Sequence, residues 1–128
     1  MHIDQLIAID THTHLEVSCR NPFDSYGEEY DRAADKYFRS SRRPTMQETI
    51  DYYREKKIGF VNFTVDAETQ MGRRRIPNEE IAEAAMANPD IMIAFGSIDP
   101  HKGKMGAREA RKLIEEYAVK GFKFHPTV

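Results

Sequence analysis

The chain is poor in cysteine, with Cys19 alone among its 128 residues. An internal disulfide and a cluster of thiolate metal ligands are therefore excluded, and any bound metal must be held by nitrogen and oxygen. Long apolar runs are also missing: none approaches the roughly 18 residues of a membrane-spanning helix, and the first residues lack the pattern of a signal peptide. We therefore expect a cytoplasmic protein with no membrane partner.

The chain also lacks a strong charge of either sign. Lysine and arginine number 19 against 21 acidic residues, and the formal net charge is −2. This balance gives no reason to expect a nucleic-acid partner. A content of 40% hydrophobic and 31% charged residues is ordinary for a globular protein. The length predicts one domain, spanning residues 1–128.

An apolar run at residues 6–9 is followed by Asp10-Thr11-His12-Thr13-His14. If residues 5–12 form a strand, side chains alternate between its faces, so His12 and His14 project from the same face about 7 Å apart. Two imidazoles can share one metal ion, and they suit zinc, iron and manganese. A catalytic metal needs three or more protein ligands, so this pair predicts an incomplete site that other residues must extend.

The rest of the chain alternates between helical and strand patterns. Apolar runs predict strands at residues 58–65, 91–98 and 121–125. Helical patterns predict helices at residues 45–57, 78–88 and 106–120. Thr45 and Glu48 form a capping-box pattern at the start of the first of these helices, and Gly121 is expected to be the left-handed cap of the last.

Residues 16–44 form a polar stretch with no sustained periodicity, although it contains several aromatic residues. We interpret it as a long loop after the first strand with one short helix. A long ordered insertion of this kind is typical of a lid or a binding loop. Disorder of this segment is the alternative.

The order β-α-β-α-β-α-β, with strands that are apolar along their length, predicts a parallel sheet in an α/β protein. Either an open doubly wound sheet or part of a (β/α)₈ barrel fits this order, and both place their chemistry at the carboxyl ends of the strands. Five residues with functional side chains fall near predicted strand ends: His12, His14, Asp66, Asp99 and His125. No glycine-rich phosphate-binding loop follows the first strand, which disfavours nucleotide binding.

The segment Ile9–His14 on a first strand, with Gly121–Pro126 on a fourth, resembles the amidohydrolase superfamily. The closest resemblance is to the amidohydrolase-related branch, amidohydrolase 2, which contains decarboxylases, hydratases and hydrolases. Asp-x-His-x-His alone also resembles metal-dependent DNases of the same superfamily and histidinol-phosphatase-like phosphoesterases, but the fourth-strand segment favours the amidohydrolase branch.

This resemblance implies the N-terminal half of a TIM (β/α)₈ barrel, ending after the fourth strand. It also implies that His12 and His14 bind a divalent metal, zinc or else manganese. In that family the remaining ligands follow strands five, six and eight, which this chain does not contain. We therefore expect the chain to be the N-terminal portion of a longer enzyme.

Lys123 and His125 share one face of the predicted fourth strand, with Phe122 and Phe124 on the other. The resemblance assigns His125 to substrate contact. Lys123 is a candidate for binding a substrate carboxylate or bridging two metals, and the alternative is an inward lysine bonded to neighbouring strands.

Other charged residues have simpler expected roles. Asp66 and Asp99 are expected to be turn residues at strand ends. The run Arg73-Arg74-Arg75 is expected to be a solvated group of charges, with binding of a substrate carboxylate or phosphate as the alternative.

The expected function is a metal-dependent hydrolase or carboxy-lyase acting on a small organic acid, with this chain alone inactive. The competing hypothesis is a non-catalytic α/β interaction module, or a degenerate half-barrel, that dimerises through its open strand edges. A homo-oligomer is expected, and the interaction-module hypothesis requires a dimer that pairs the open strand edges.

Overall fold

The computed structural model describes residues 1–21, 28–72 and 74–126 of the chain. In this part of the chain the strands are β1 (Ala8–His14), β2 (Ile58–Phe63), β3 (Met92–Ser97) and β4 (Gly121–Lys123). The α-helices are α1 (Glu28–Phe38), α2 (Met46–Lys56), α3 (Glu68–Met71), α4 (Asn78–Ala87) and α5 (Lys104–Tyr117). Short 3₁₀ turns lie at Ile3–Gln5 and Pro100–Lys102.

The four strands are parallel and stand in the order β1-β2-β3-β4. Each strand therefore pairs with the next strand along the chain, as in a (β/α)₈ barrel, whereas a doubly wound sheet reverses its strand order at a switch point. The strands form a curled half-barrel with helices packed against it. The prediction of half a TIM barrel is confirmed.

Local sequence signals account for most element boundaries. Thr45 Oγ1 accepts from the backbone N–H of Glu48, and the Glu48 carboxylate accepts from the N–H of Thr45, so the predicted capping box is present. Strand β1 starts three residues later than expected and continues to His14, while β4 ends at Lys123 rather than His125. The four-residue helix α3 was not predicted, because it has no sustained periodicity.

The predicted role of Gly121 is wrong. The left-handed residue that ends α5 is Ala118, with φ of 54°, and Gly121 lies in β4. A Cβ on Gly121 would lie 2.6 Å from the ring of Phe95. Glycine is therefore needed here for close packing between β3 and β4, and its position after a helix is incidental.

The hydrophobic core lies between the sheet and the helices. Phe60 of β2, Ile50 of α2, Ile81 of α4 and Leu113 of α5 are each no more than 2% exposed. Burial of side chains of this size stabilises the fold by about 1.5–3 kcal/mol each. This core fixes β2 and β3 between the helices and so determines where their carboxyl ends lie.

Strand β1 is far more exposed than the uniformly apolar pattern predicted. Ile7, just before it, is 75% exposed and Ile9 is 41% exposed, because β1 is an edge strand with β2 as its neighbour in the described sheet.

The described part of the predicted insertion at residues 16–44 contains one helix, α1. Helix α1 is held by Arg43, whose Nη2 donates to Asp35 Oδ1 at 2.7 Å and to the Asp31 carbonyl at 3.2 Å. Residues 22–27, part of the predicted loop, lie outside the described residues. Among the helices described here, each is too short or too polar to traverse a lipid bilayer.

Candidate metal and substrate site

A bulge in β1 shapes the strand that carries the histidine pair. Asp10 lies opposite Phe60, and Thr13 lies opposite Asn62. Thr13 is three residues after Asp10, whereas Asn62 is two residues after Phe60, so β1 contains one extra residue at this point. Asn62 Nδ2 donates to Thr13 Oγ1 at 2.9 Å, and Thr13 Oγ1 donates to the carbonyl of Val61 at 2.7 Å. These bonds fix the register of β1 beyond the bulge.

Asp10 occupies the other end of this bulge. Its Oδ1 accepts from the backbone N–H of His12 at 3.0 Å, and its Oδ2 accepts from the hydroxyl of Tyr53 at 2.7 Å. The bond from His12, followed by the bond from Tyr53, lowers the pKa of Asp10. Asp10 is therefore a carboxylate at neutral pH.

His12 and His14 lie side by side over one aromatic ring. Their ring centroids are 6.3 Å apart and lie 5.4 and 6.1 Å from the centroid of Phe63. The structure thus brings the two predicted ligands together. Both rings lie on one side of β1, as expected for residues two positions apart, and the bulge just before Thr13 places that side opposite to the face of Asp10.

Glu16 is a member of the site that the sequence did not identify. Its Oε1 lies 2.5 Å from His14 Nδ1. A carboxylate on one nitrogen of a ligating histidine fixes the tautomer and leaves the other nitrogen to act as the donor atom. The only available signal was an acid two residues beyond the histidine pair, at the start of a polar segment.

The two β4 residues lie close to this pair. Lys123 is half-buried, and its Nζ lies 5.5 Å from the centroid of Phe63, the ring that both histidines contact. Within the described part of the chain this ammonium makes no hydrogen bond, and the contact described for it is with the Phe63 ring. His125 is half-buried and shares a cleft with His14.

The cleft has a volume of about 380 Å³ and lies between the strand ends and the insertion. Its walls come from the ends of β1 and β2, from α1 and from the segment that follows α1. The lining residues are His14, Leu15, Glu16, Ala34, Asp35, Phe38, Ser40, Arg42, Arg43, Thr64, Val65, Ala67, Met71 and His125. The insertion therefore forms one wall of the candidate site.

The two arginines of the cleft differ in their partners. Arg43 is paired with Asp35 and Asp31. Arg42 is exposed, and across residues 1–21, 28–72 and 74–126 its guanidinium has no ion pair. Arg42 could not be singled out from the sequence, because its place in the cleft depends on how the insertion folds back.

A buried group of charges lies beside the site, at the ends of β2 and β3. Asp66 is fully buried and accepts from Arg75 Nη1 at 2.5 Å and from Lys102 Nζ at 2.7 Å. Arg75 also donates to Glu109, and Lys102 donates to Glu68. Burial tends to lower the pKa of Lys102, but its bonds to Asp66 and Glu68 outweigh this and leave the pKa raised.

These buried charges bear on the predictions made for the arginine run and for the two strand-end aspartates. Arg75 has a side chain only 16% exposed, so the prediction of a solvated arginine run is wrong for this residue, while Arg73 lies outside the described residues. Asp66 is more than a turn residue, since its carboxylate accepts hydrogen bonds from the side chains of Arg75 and Lys102. Asp99 does organise a turn: its carboxylate accepts from the backbone N–H groups of Thr69 and His101.

The donor chemistry of the histidine pair fits a divalent metal. Imidazole nitrogens are the ligands expected for zinc and are compatible with manganese. Two donors do not complete a site, and the described ranges hold no group of three or more histidine, cysteine or acidic side chains placed to bind a metal.

Comparison with known families gives one match. The family model described as Amidohydrolase matches residues 9–128, a range that includes the histidine pair, the half-barrel and the β4 segment. Members of this family are generally hydrolases or decarboxylases and generally use divalent metal ions. Comparisons with curated proteins and with solved structures gave no match. The match spans nearly the whole chain and agrees with the sequential parallel sheet, and the chain accordingly belongs to the amidohydrolase family.

Proposed function

We propose that this chain supplies the metal-binding strand and part of the substrate cleft of a metal-dependent amidohydrolase-type enzyme. The reaction is a hydrolysis or a decarboxylation of a small organic acid. One observation carries the proposal: His12, His14 and Lys123 all lie against the ring of Phe63, and His14 opens onto the cleft that His125 and the insertion line.

His12 and His14 would hold the divalent metal, zinc foremost and manganese as the second choice. Such an ion, when bound, polarises a substrate oxygen or activates a water molecule. Glu16 orients the ring of His14. The further ligands would come from residues outside the part of the chain described here.

The cations of the site favour an acidic substrate. Arg42 presents a guanidinium to the cleft without an ion pair in the described chain, and a guanidinium can bind a carboxylate through two parallel hydrogen bonds. Lys123 adds a half-buried ammonium near the histidines. His125, which lines the same cleft as His14, would contact the substrate. Apolar residues such as Phe38 and Leu15 would exclude water from the rest of the substrate.

Metal binding to the intact chain tests the proposal. In calorimetric titration with Zn²⁺, we expect the double substitution His12→Ala/His14→Ala to weaken binding by about tenfold or more, since both donors are removed. The matched control is His2→Ala, which removes an exposed histidine near the N-terminus. Equal affinity in the double variant and the wild type would overturn the proposed site.

A second candidate is favoured by the exposed edge of β1. With Ile7 75% and Ile9 41% exposed, this edge offers unpaired backbone groups beside apolar side chains, which is typical of a surface that pairs with another strand. The chain would then be a non-catalytic interaction module that forms dimers.

Sedimentation of the wild type and of Ile7→Lys separates these candidates. A dimer that Ile7→Lys dissociates, while Met86→Lys on an exposed position of α4 does not, supports the interaction module; a wild-type monomer contradicts it. Other parts of the proposal rest on the sequence alone: a cytoplasmic location, a small-molecule substrate, no nucleic-acid or membrane partner, and a homo-oligomer.

A further inference from the structure

We propose that Asp10 and Tyr53 form a positioning pair that holds the bulge in β1 and thereby aims His12 and His14 at the same side of the sheet. Neither residue lines the cleft, and neither is a proposed metal ligand. The inference rests on the proposed function only in treating the two histidines as ligands. The geometry of the bulge stands independently of it.

The face on which each β1 residue lies follows from its contacts. Asp10 is opposite Phe60 and bonds to Tyr53 of α2, whose ring stacks on Phe60 at 4.5 Å, so Asp10 faces the helix layer. His14 is opposite Phe63, three positions after Phe60 in β2, so it faces the other side of the sheet. Asp10 and His14 therefore point to opposite faces.

A regular strand forbids this arrangement. Side chains at positions 10, 12 and 14 of an unbroken strand share one face, because the side-chain period is two. Without the bulge, either both histidines would turn toward the helix layer or Asp10 would leave Tyr53. The extra residue between Asp10 and Thr13 shifts the alternation of side chains by one position. Asp10 can therefore face the helix layer while both histidines face the other side of the sheet.

The bulge needs stabilising contacts, because its extra residue leaves backbone N–H and C=O groups without partners in the hydrogen-bond ladder between the strands. Asp10 Oδ1 accepts the N–H of His12, the residue within the bulge, and Tyr53 anchors the same carboxylate through Oδ2. Bonds to an ionised acceptor are stronger than neutral ones, so this carboxylate is well suited to replace a ladder bond. Thr13 and Asn62 hold the opposite end of the bulge.

Nuclear Overhauser contacts between the histidine rings and the ring of Phe63 test this inference without any metal. We expect Asp10→Ala to lose the contact between His12 and Phe63. Asp10→Asn retains an oxygen that accepts from the His12 N–H and should keep the contact. A merely structural role for Asp10 would not produce this rescue. Wild-type contacts in Asp10→Ala would overturn the inference.

Tyr53→Phe provides a milder variant should Asp10→Ala fail to fold, since it keeps the ring that stacks on Phe60 and removes only the hydroxyl. We expect the backbone amide of His12 to exchange with solvent about threefold faster or more, the change typical of one lost hydrogen bond. The control is Tyr52→Phe, the same substitution on the adjacent residue, which is 57% exposed. Equal exchange rates in the two variants would contradict the inference.

Zn²⁺ titration of the same variants separates this inference from the proposed function. If the pair is a metal site, Tyr53→Phe should weaken Zn²⁺ binding by about threefold or more while Tyr52→Phe leaves it unchanged. A wild-type chain that binds no Zn²⁺ would count against the proposed metal site. The ring contacts and the exchange rate would still decide whether Asp10 and Tyr53 position the histidines.

Discussion

Arg75 Nη1 lies 2.5 Å from Oδ2 of Asp66, a carboxylate with no exposed surface at the carboxyl end of β2. The other terminal nitrogen of the same guanidinium donates to Glu109 in α5. This arginine therefore joins the loop after β2 to α5, the helix that follows the next strand, β3. The loop after β2 also borders the candidate site, since its residues Thr64, Val65 and Ala67 line the cleft.

Replacing Arg75 should be costly, because it leaves Asp66 buried with Lys102 as its remaining cationic partner. We expect Arg75→Met to lower the free energy of unfolding in urea by about 3 kcal/mol, as is typical when one partner of a buried pair is removed. Arg108→Met, on an exposed position of α5, is the matched control and should change stability by less than about 0.5 kcal/mol. Equal losses in both variants would contradict the assigned role.

Glu68 should contribute to the pH dependence of stability. Burial tends to raise its pKa, but the hydrogen bond from Lys102 and the backbone bond from Arg75 outweigh burial and leave the pKa below the ordinary glutamate value of 4.5. A lowered folded-state pKa means that this contribution is present above about pH 4.5 and is lost as the pH falls through the folded-state value.

The stability difference between wild type and Glu68→Gln should therefore be constant near neutral pH and shrink progressively below about pH 4.5. Urea titrations at pH 7, 5, 4 and 3 would measure it. In a Lys102→Met background the neutral-pH difference should be smaller, since the main bonding partner of Glu68 is gone. A difference that grows on acidification would show that the sign of the pKa shift is wrong.

Gly121 should tolerate no side chain. Its added Cβ would meet the Phe95 ring at 2.6 Å, so we expect Gly121→Ala to reduce the free energy of unfolding by about 1–3 kcal/mol through overpacking. Phe95→Leu supplies the compensating change, because it removes the atoms that clash. The cost of Gly121→Ala should be smaller in the Phe95→Leu background. Additive costs would point to the backbone of β4 rather than to Phe95.

The capping box at the start of α2 should stabilise the chain measurably. Thr45→Ala removes the oxygen that accepts from the Glu48 N–H, and we expect a loss of about 1 kcal/mol in thermal or urea unfolding. Thr45→Ser keeps the hydroxyl and should remain within a few tenths of a kcal/mol of the wild type. Similar losses in the two variants would indicate that the methyl group, rather than the cap, matters.

Sequence patterns predicted most of the fold because its elements are marked by local signals. The apolar runs of β2 and β3 are bounded by residues that end strands, and the capping box at Thr45 marks the start of α2. The choice between a barrel and a doubly wound sheet stayed open at that level, because periodicity says which segments are strands but not which strands are neighbours. Strand order and the family match resolved it.

The features of the site that escaped prediction depend on contacts between distant residues. Asp10 meets Tyr53 from 43 positions away, and the bulge exists only in relation to the register of β2. Arg42 enters the cleft because the insertion folds back over the strand ends. Gly121 was misassigned because its role is set by Phe95 on the neighbouring strand, while Ala118 accepts the strained cap position without glycine.

The sequential strand order also sets an order of assembly. The chain between paired strands is 43 residues long from β1 to β2 (15–57), 28 from β2 to β3 (64–91) and 23 from β3 to β4 (98–120). Closing the longest of these loops costs about 0.5 kcal/mol more entropy than closing the shortest. Strand β1 is also the most exposed of the four described strands, so β2, β3 and β4 with their helices are expected to associate first. The histidine pair then reaches its final place as β1 docks, which makes the candidate metal site a late product of folding.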